Sequence, residues 1–292
     1  MKPAPFEYWA PTSLDEALKL LSGFDDPGDA KVLAGGQSLM ALLNLRLAQP
    51  AYIVDLNGIA ELSSISRDNG TLTIGAMTRQ RIAERSADVA AACPLMVQAL
   101  QQVGHPQIRN RGTVGGSLAH ADPAAELPTL AVCLGADLVM RGPSGERTVN
   151  ARDFFTGFLS TVLAEDEILT AVRIPAAGPG TGSAFEEVAR RHGDFAMVGV
   201  AAHVQLNGDT IAAASIALSG VDGQPVHAAD AGAALAGQTP SDDVFAAAGA
   251  AASAGLDPTS DLHASGAYRK HVAGVLVRRA LKVATARAKE NQ

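Results

Sequence analysis

The sequence predicts an α+β fold, in which an N-terminal domain of two small α/β lobes precedes a C-terminal domain built from an antiparallel sheet and helices. Short apolar strands and helices alternate along the N-terminal part of the chain. Residues 176–183 have the glycine- and proline-containing composition of a linker, and strands followed by alanine-rich helices come after them. We therefore expect domains at residues 1–177 and 178–292.

The first elements are a helix and then a strand, a glycine turn and a second helix. Ser13 and Glu16 have the spacing of a capping box, which predicts a helix that ends at Gly23. Residues 31–33 are predicted as a short strand, and residues 39–47 as an apolar helix that begins after the glycine turn.

The remaining elements follow from hydrophobic periodicity and from the positions of glycine and proline. Asp122 followed by Pro123 predicts the N-cap and first residue of a helix that runs towards Gly135. The other strands are predicted at residues 52–56, 71–74 and 169–174, in a hairpin across residues 138–149, and near Phe185, Val200 and Ile211. The other helices are predicted at residues 79–92 and 94–103, with two alanine-rich helices after the last strands, the second at residues 268–288.

Composition excludes several kinds of partner and site. A formal net charge of -7 over 292 residues leaves no basic field for nucleic acid or an anionic membrane. Cys93 and Cys133 are the only cysteines, too few for a four-cysteine iron–sulfur cluster or a structural zinc, and the histidines form no HExxH pair. Residues 1–12 contain no apolar export segment, and no apolar run reaches the length of a membrane span, so we expect a cytoplasmic protein without a metal site.

Two glycine turns, at residues 34–38 and 111–117, suggest a site for an anion, and we expect them to converge on one diphosphate although they are distant in the sequence. Glycine permits positive φ and lets backbone N–H groups approach a ligand without an intervening Cβ, so a Gly-Gly turn beside Ser or Thr suits phosphate oxygens. The alternative is that each is an ordinary tight turn. Neither turn matches GxGxxG or GxxxxGK[ST], which argues against a Rossmann or P-loop site.

The sequence around each turn resembles a known family. Residues 31–47 (KVLAGGQSLMALLNLRL) and 108–128 (IRNRGTVGGSLAHADPAAELP) resemble the two FAD-binding signatures of the medium, flavin-carrying subunit of molybdenum hydroxylases, the xanthine dehydrogenase and carbon monoxide dehydrogenase family. Residues 73–76, 166–169 and 187–196 add weaker matches. The resemblance implies a two-lobed FAD-binding domain of the vanillyl-alcohol-oxidase (PCMH) type, followed by the C-terminal domain of such flavoproteins.

The resemblance also implies which residues bind FAD. The first signature would hold the diphosphate and ribityl chain, mostly through backbone N–H groups, with Lys31, Val32, Leu33, Ala34, Gly35, Gly36, Gln37, Ser38 and Leu39. The second would contribute Gly112, Thr113, Val114, Gly115, Gly116 and Ser117. Softer matches are His120, Asp122, Glu126, Leu169 and Glu187. Relatives often carry lysine at the position of Glu187, so this chain lacks any cation supplied there.

Each of these residues also has a structural interpretation. Asp122 is explained as the N-cap before Pro123, and Ser38 as a cap of the helix that follows it. His120 is expected to be a hydrogen-bonded structural residue. Arg109 and Arg111 are expected either to contact phosphate or a partner subunit, or to lie on a solvated face of the loop.

By resemblance, the chain is the FAD-carrying electron-transfer subunit of a heterotrimer. A small subunit with two [2Fe-2S] clusters would deliver electrons, and a large subunit with the molybdenum cofactor would hydroxylate an organic substrate, with a weak preference for an N-heterocycle. No side chain here is assigned a catalytic role, since a flavin itself converts one-electron into two-electron transfer. The alternatives are a self-sufficient flavin dehydrogenase or oxidase, a carbon monoxide dehydrogenase medium subunit, and an interaction scaffold whose glycine turns bind nothing.

Overall fold

The computed structural model describes residues 2–292. Its strands are β1 (Glu7–Trp9), β2 (Ala30–Leu33), β3 (Tyr52–Asp55), β4 (Ile65–Asp68), β5 (Thr71–Gly75), β6 (Asp137–Gly142), β7 (Gly145–Asn150), β8 (Phe155–Gly157), β9 (Ser160–Thr161), β10 (Ile168–Pro175), β11 (Thr181–Val188), β12 (Val198–Asn207), β13 (Thr210–Ser219) and β14 (Val226–His227). Its α-helices are α1 (Leu14–Gly23), α2 (Leu39–Asn44), α3 (Gln80–Arg85), α4 (Ala87–Ala92), α5 (Pro94–Gln102), α6 (Pro106–Arg111), α7 (Val114–His120), α8 (Glu126–Leu134), α9 (Ala151–Phe154), α10 (Ala229–Leu235), α11 (Asp242–Ala254) and α12 (Gly266–Glu290).

Three sheets organise the chain, and they confirm the predicted α+β fold. A parallel sheet has the strand order β1-β3-β2, and its β2 leads into the first glycine turn. An antiparallel sheet of order β4-β5-β10-β6-β7 follows, with helices α3 to α8 inserted between its second and third strands in chain order. The third sheet, β11-β12-β13-β14, is antiparallel and is followed by α10, α11 and α12.

Each sheet has its own apolar core. The first core packs α1 against the parallel sheet, because α1 presents Leu14, Leu18 and Leu21 at helical spacing. The second and largest lies between the five-stranded sheet and helices α5, α7 and α8. The third packs α12 and α11 on the third sheet. Gly182 of β11 makes the closest approach there, since a Cβ on it would collide with the backbone of Ala284 in α12.

The start of the chain follows the sequence prediction closely. The Ser13 hydroxyl accepts a hydrogen bond from the Glu16 amide at 3.3 Å, as a capping residue does. The Glu16 carboxylate accepts from the amide of Thr12 at 2.8 Å rather than from that of Ser13, so the reciprocal bond is displaced by one residue. α1 ends at Gly23, as predicted.

Several predicted boundaries are wrong for identifiable reasons. The helix predicted at residues 79–92 breaks at Ser86, whose extended backbone and hydroxyl start α4 instead. The helix predicted at residues 39–47 ends at Asn44, because Arg46 adopts a φ of 56°. β11 begins at Thr181, so the predicted linker at residues 176–183 is wrong over its last three residues. Three helices rather than two follow the last strands.

Candidate functional site

The two glycine turns lie in direct contact. Gly35 is buried against the second turn: a Cβ built on it would lie 2.7 Å from the Cα of Gly112 and closer still to the carbonyl oxygen of Arg111. A Cβ on Gly116 would lie 3.2 Å from the Cβ of Ala34. Only residues without a side chain allow two backbones to approach this closely. The prediction that the turns converge, although distant in sequence, is therefore confirmed.

The first turn presents a row of free backbone donors. Within residues 2–292, the amides of Gly35, Gly36, Gln37, Ser38 and Leu39 donate to no protein acceptor. Gly36 has a φ of 73°, a left-handed conformation that reverses the chain before α2. Ser38 precedes α2, but its hydroxyl makes no capping bond, so the prediction that it caps that helix is wrong. Successive free amides beside a free hydroxyl are a set of donors suited to an anion.

The second turn has a different structure from the one predicted. Gly112 follows the end of α6, whereas Gly115 and Gly116 fall in the first turn of α7, and neither of these two has a positive φ. The Val114 amide donates to the Thr78 carbonyl at 3.0 Å, and the Gly115 amide to that of Ala76 at 2.8 Å. The Gly116 amide donates to the Thr113 hydroxyl at 3.0 Å. These amides are engaged within the protein, so the free donors are concentrated in the first turn.

The glycines of the second turn are instead required by close packing. A Cβ on Gly115 would collide with Ala76, and one on Gly112 would lie 2.6 Å from Oε1 of Gln80. The second turn thus packs against the segment that follows β5 on one side and against the first turn on the other. It forms a fixed wall beside the free donors.

One buried carboxyl group, that of Glu126, and one partly buried carboxyl group, that of Glu187, form the second set of predicted residues. Glu126, the first residue of α8, is 6% exposed. Burial raises the pKa of its carboxyl to about 8, and the neighbouring negative charges of Glu187 and Asp122 act in the same direction, against Arg109. Burial raises the pKa of Glu187, on β11, to about 7, and its Oε2 has no hydrogen-bond partner within residues 2–292.

These raised pKa values make folding sensitive to pH in a defined direction. A carboxyl whose pKa is higher in the folded than in the unfolded chain binds more protons when folded. The stability that Glu126 contributes is therefore complete below its ordinary pKa of 4.5 and is lost as the pH rises through about 8. The negative charge of Glu187 adds to the effect of burial and raises the pKa of Glu126 further.

The other predicted residues occupy less direct positions. Asp122 does not cap a helix: its carboxylate accepts from the Ala124 amide at 2.9 Å within a turn, and the helix begins four residues later, at Glu126. His120 is the last residue of α7, and Leu169 is buried in the largest core. Lys31, on β2, is exposed.

The predicted residues therefore form two groups joined by α7. The turn group consists of residues 31–39 and 112–117, and the carboxyl group consists of Asp122, Glu126 and Glu187. α7 has seven residues, which corresponds to a length of about 10 Å. The free amide donors therefore lie in the turn group, and the two carboxyls with a raised pKa lie in the carboxyl group.

The two expectations for Arg109, a phosphate or partner contact and a solvated loop, are both wrong. Its side chain is 6% exposed and pairs with Glu84, at 2.9 Å from Nε to Oε2. Its Nη1 also donates to the Val103 carbonyl at 2.8 Å. Through these contacts Arg109 holds α6, which leads into the second turn. Its positive charge is paired with Glu84 inside the protein and does not face a ligand or a partner.

Sequence reasoning missed two residues between the turns, Asn57 and Arg79. Asn57 donates from Nδ2 to the carbonyl of Ala34, and Arg79 donates from Nη1 to the carbonyl of Arg111. Neither belongs to a recognisable motif. The only available signal was position: Arg79 lies four residues after the predicted strand that ends near Gly75, next to a segment that the resemblance already singled out.

The residues at the turns fit the diphosphate of FAD. Free amides and a free hydroxyl accept the negative oxygens without lysine, and the glycines keep side chains away from the backbone. The part of the chain that the structure describes gives no support for a reactive thiol or a metal site. Cys93 and Cys133 are buried and unpaired, and burial raises the pKa of each thiol to about 12. Residues 2–292 contain no cluster of three metal-ligating side chains and no helix able to cross a bilayer.

Comparison with known proteins gives a consistent result. Residues 4–177 match the model of the FAD-binding domain in molybdopterin dehydrogenase, and residues 183–284 match that of the CO dehydrogenase flavoprotein C-terminal domain. The chain is 40% identical to the carbon monoxide dehydrogenase medium chain of Hydrogenophaga pseudoflava, over 98% of this chain and 99% of that one. It is 44% identical to the caffeine dehydrogenase subunit beta of Pseudomonas sp. (strain CBB1), over 77% of this chain and 76% of that one.

Solved structures agree. The quinoline 2-oxidoreductase structure from Pseudomonas putida 86 aligns with a TM-score of 0.93 at 40% identity, covering 99% of both chains. A carbon monoxide dehydrogenase structure from Hydrogenophaga pseudoflava aligns with a TM-score of 0.96 at 41% identity, covering 98% of this chain and 99% of that one. This chain therefore belongs to the family of FAD-carrying medium subunits of molybdenum hydroxylases, and FAD is its cofactor.

Proposed function

We propose that this subunit binds the FAD diphosphate at the contact between its two glycine turns and passes electrons from a small [2Fe-2S] subunit to an external acceptor. The observation that carries the proposal is the row of five free amides at residues 35–39, held against the second turn. Bound FAD supplies the conversion between one-electron and two-electron transfer. The chain contributes binding and orientation, and no side chain acts as acid, base or nucleophile.

Different residues of the site would bind different parts of FAD. The amides of Gly35 to Leu39 and the hydroxyl of Ser38 would bind the diphosphate oxygens, while Thr113 keeps the second turn in place through its bond to the Gly116 amide. Glu126, protonated at neutral pH, would bind FAD hydroxyls beyond α7. Glu187 would leave this end of the site without a positive charge.

The complex that we propose is a heterotrimer of this subunit, the small iron–sulfur subunit and a large molybdenum subunit, located in the cytoplasm. Two cysteines, both buried and unpaired, cannot ligate a cluster here, so the electrons must come from another chain. Large apolar side chains lie exposed after the first turn, among them Leu45 at 58% and Leu47 at 73%, and exposed apolar groups of this size favour a protein partner.

For the substrate of the large subunit we favour an aromatic N-heterocycle. The support is the similarity to caffeine dehydrogenase subunit beta and to quinoline 2-oxidoreductase, whose names specify such substrates. Carbon monoxide is the second candidate, favoured by the 40% identity to a carbon monoxide dehydrogenase medium chain over nearly the whole chain.

The test is to purify the tagged full chain from its native source under mild conditions. We expect absorbance bands near about 370 and 450 nm from bound flavin, two co-purifying chains that carry iron and molybdenum, and reduction of the flavin by an N-heterocycle in the intact complex. Reduction by CO instead would select the second candidate. Reduction of the isolated chain by a small organic substrate would contradict the proposal and support a self-sufficient flavoenzyme.

A further inference from the structure

Three hydrogen bonds connect the two glycine turns through two side chains. Asn57 Nδ2 donates to the carbonyl oxygen of Ala34 in the first turn at 2.9 Å. Arg79 Nη2 donates to Oδ1 of Asn57 at 2.5 Å. Arg79 Nη1 donates to the carbonyl oxygen of Arg111, at the entrance to the second turn, at 2.6 Å. The result is a continuous link from one turn to the other, which we call the Asn57–Arg79 bridge.

The bridge ends on the backbone groups that define the contact between the turns. Ala34 immediately precedes Gly35, and the carbonyl oxygen of Arg111 is the atom nearest to where a Cβ of Gly35 would stand. The bridge thus fixes the position of the free amides relative to the second turn.

Both side chains of the bridge are themselves fixed in place. The backbone N–H of Asn57 donates to Oδ1 of Asp55 at 2.8 Å, and its side-chain Nδ2 donates to the same oxygen. The phenol of Tyr8 donates to the other oxygen of that carboxylate at 2.6 Å. Arg79 is partly buried, and its neighbours Thr78 and Gln80 bond to the second turn: the Thr78 carbonyl accepts from Val114, and the Gln80 amide donates to the Gly112 carbonyl at 2.9 Å.

An arginine is required at this position by geometry. The planar guanidinium donates in two fixed directions at once, to Asn57 and to the Arg111 carbonyl. A lysine has a single nitrogen on a flexible side chain, so it cannot donate to both acceptors with the geometry that the two guanidinium nitrogens provide. Exposed ion pairs contribute little, but these are hydrogen bonds from a charged donor to neutral acceptors, which are stronger than bonds between two neutral groups.

We propose that Asn57 and Arg79 are positioning residues that set the separation of the two glycine turns required for FAD. The proposal rests on the turns being the diphosphate site. Neither side chain needs to touch the cofactor. Because both residues belong to one chain of hydrogen bonds, substituting either of them should weaken FAD binding to the same extent. Substituting both should weaken it little further.

The experiment measures the FAD dissociation constant of the full chain by the change in flavin fluorescence on binding. Asn57→Ala and Arg79→Met should each weaken FAD binding by about tenfold, the loss expected for a charge-assisted hydrogen bond. The double variant should be no more than about twofold weaker than either single variant, and Arg79→Lys should not restore affinity. Arg85→Met, which removes an exposed arginine at the end of α3, is the matched control and should bind FAD as the unaltered chain does.

Two results would overturn the proposal: single variants that bind FAD within about twofold of the unaltered chain, or losses that add fully in the double variant. If Arg79→Met does not fold, Asn57→Ala answers the question on its own, because it removes both the donor to Ala34 and the acceptor for Arg79 and leaves the arginine in place. The substitution Gly35→Ala separates this proposal from the site itself. Weak FAD binding by Gly35→Ala alongside normal binding by the bridge variants rejects the bridge only, whereas normal binding by Gly35→Ala rejects the turns as the site.

Discussion

A single methyl group at Gly35 tests whether FAD binding depends on contact between the turns. A Cβ there would lie 2.7 Å from the Cα of Gly112, whereas ordinary contacts of this kind begin at 3.4 Å. Gly35→Ala therefore forces the turns apart by at least about 0.7 Å, and by more where the new Cβ meets the carbonyl oxygen of Arg111, since both obstructing groups are backbone and cannot rotate away. Overpacking of this kind costs about 1 to 3 kcal/mol. A displacement of this size also exceeds the range of about 0.5 Å over which hydrogen bonds to a phosphate remain good.

We expect Gly35→Ala to fold with reduced stability and to bind FAD at least about tenfold more weakly. The assay is the flavin-to-protein ratio after gel filtration, followed by a fluorescence titration, with urea unfolding to measure stability. Gly23→Ala is the matched control, because no atom lies within 4 Å of its Cβ position and its φ is not positive. That variant should keep its FAD. Unchanged affinity in Gly35→Ala would refute the reasoning, even if the variant were less stable.

Three further substitutions test other parts of the structure. Thr113→Val removes the hydroxyl that accepts from the Gly116 amide and should lower the free energy of unfolding by about 1 kcal/mol in urea; an unchanged midpoint would contradict the cap. Glu84→Gln leaves the Arg109 guanidinium buried without its counter-charge, with an expected loss of about 3 kcal/mol, and a loss below about 1 kcal/mol would mean that the pair is solvated. The stability of the unaltered chain should fall between about pH 5 and 8, by up to about 1.4 kcal/mol per pH unit from one carboxyl. Glu126→Gln should flatten this slope whereas exposed Glu290→Gln should not, and equal slopes in all three proteins would exclude Glu126 as the source.

Local sequence signals predicted the elements that local physics determines. The serine cap at Ser13, the end of α1 at Gly23 and the hairpin of β6 and β7 around a Gly-Pro-Ser-Gly turn all depend on residues close together in the chain. The glycine turns were found for the same reason. Their convergence was a hypothesis supported by the resemblance, because the local sequence of residues 34–38 contains no information about which distant segment they contact.

Predictions failed where tertiary contacts decided the outcome. Asp122 before Pro123 has the pattern of a helix N-cap, yet its carboxylate is satisfied by the Ala124 amide in a turn, and α8 begins at Glu126. The glycines at 115 and 116 suggested a turn with positive φ, but they form the start of a helix packed against Ala76. A local pattern cannot distinguish these cases, since both use the same residues.

The role of the side chains between the turns could not be predicted from the sequence, for a related reason. Asn57 and Arg79 act through bonds to backbone carbonyls of Ala34 and Arg111, and a backbone carbonyl carries no residue-specific signal. Arg109 illustrates the opposite error, since a loop arginine suggested an exposed charge and the fold buries it against Glu84. The placement of charged side chains depends on which segments the fold brings together.

The most direct test of the account is a crystal structure of the full chain with FAD bound. The account predicts diphosphate oxygens within about 3.2 Å of several backbone nitrogens of residues 35–39, with the turn that contains Gly112 and Gly116 forming the adjacent wall. A diphosphate located away from this contact, or held by charged side chains while those amides stay free, would contradict it.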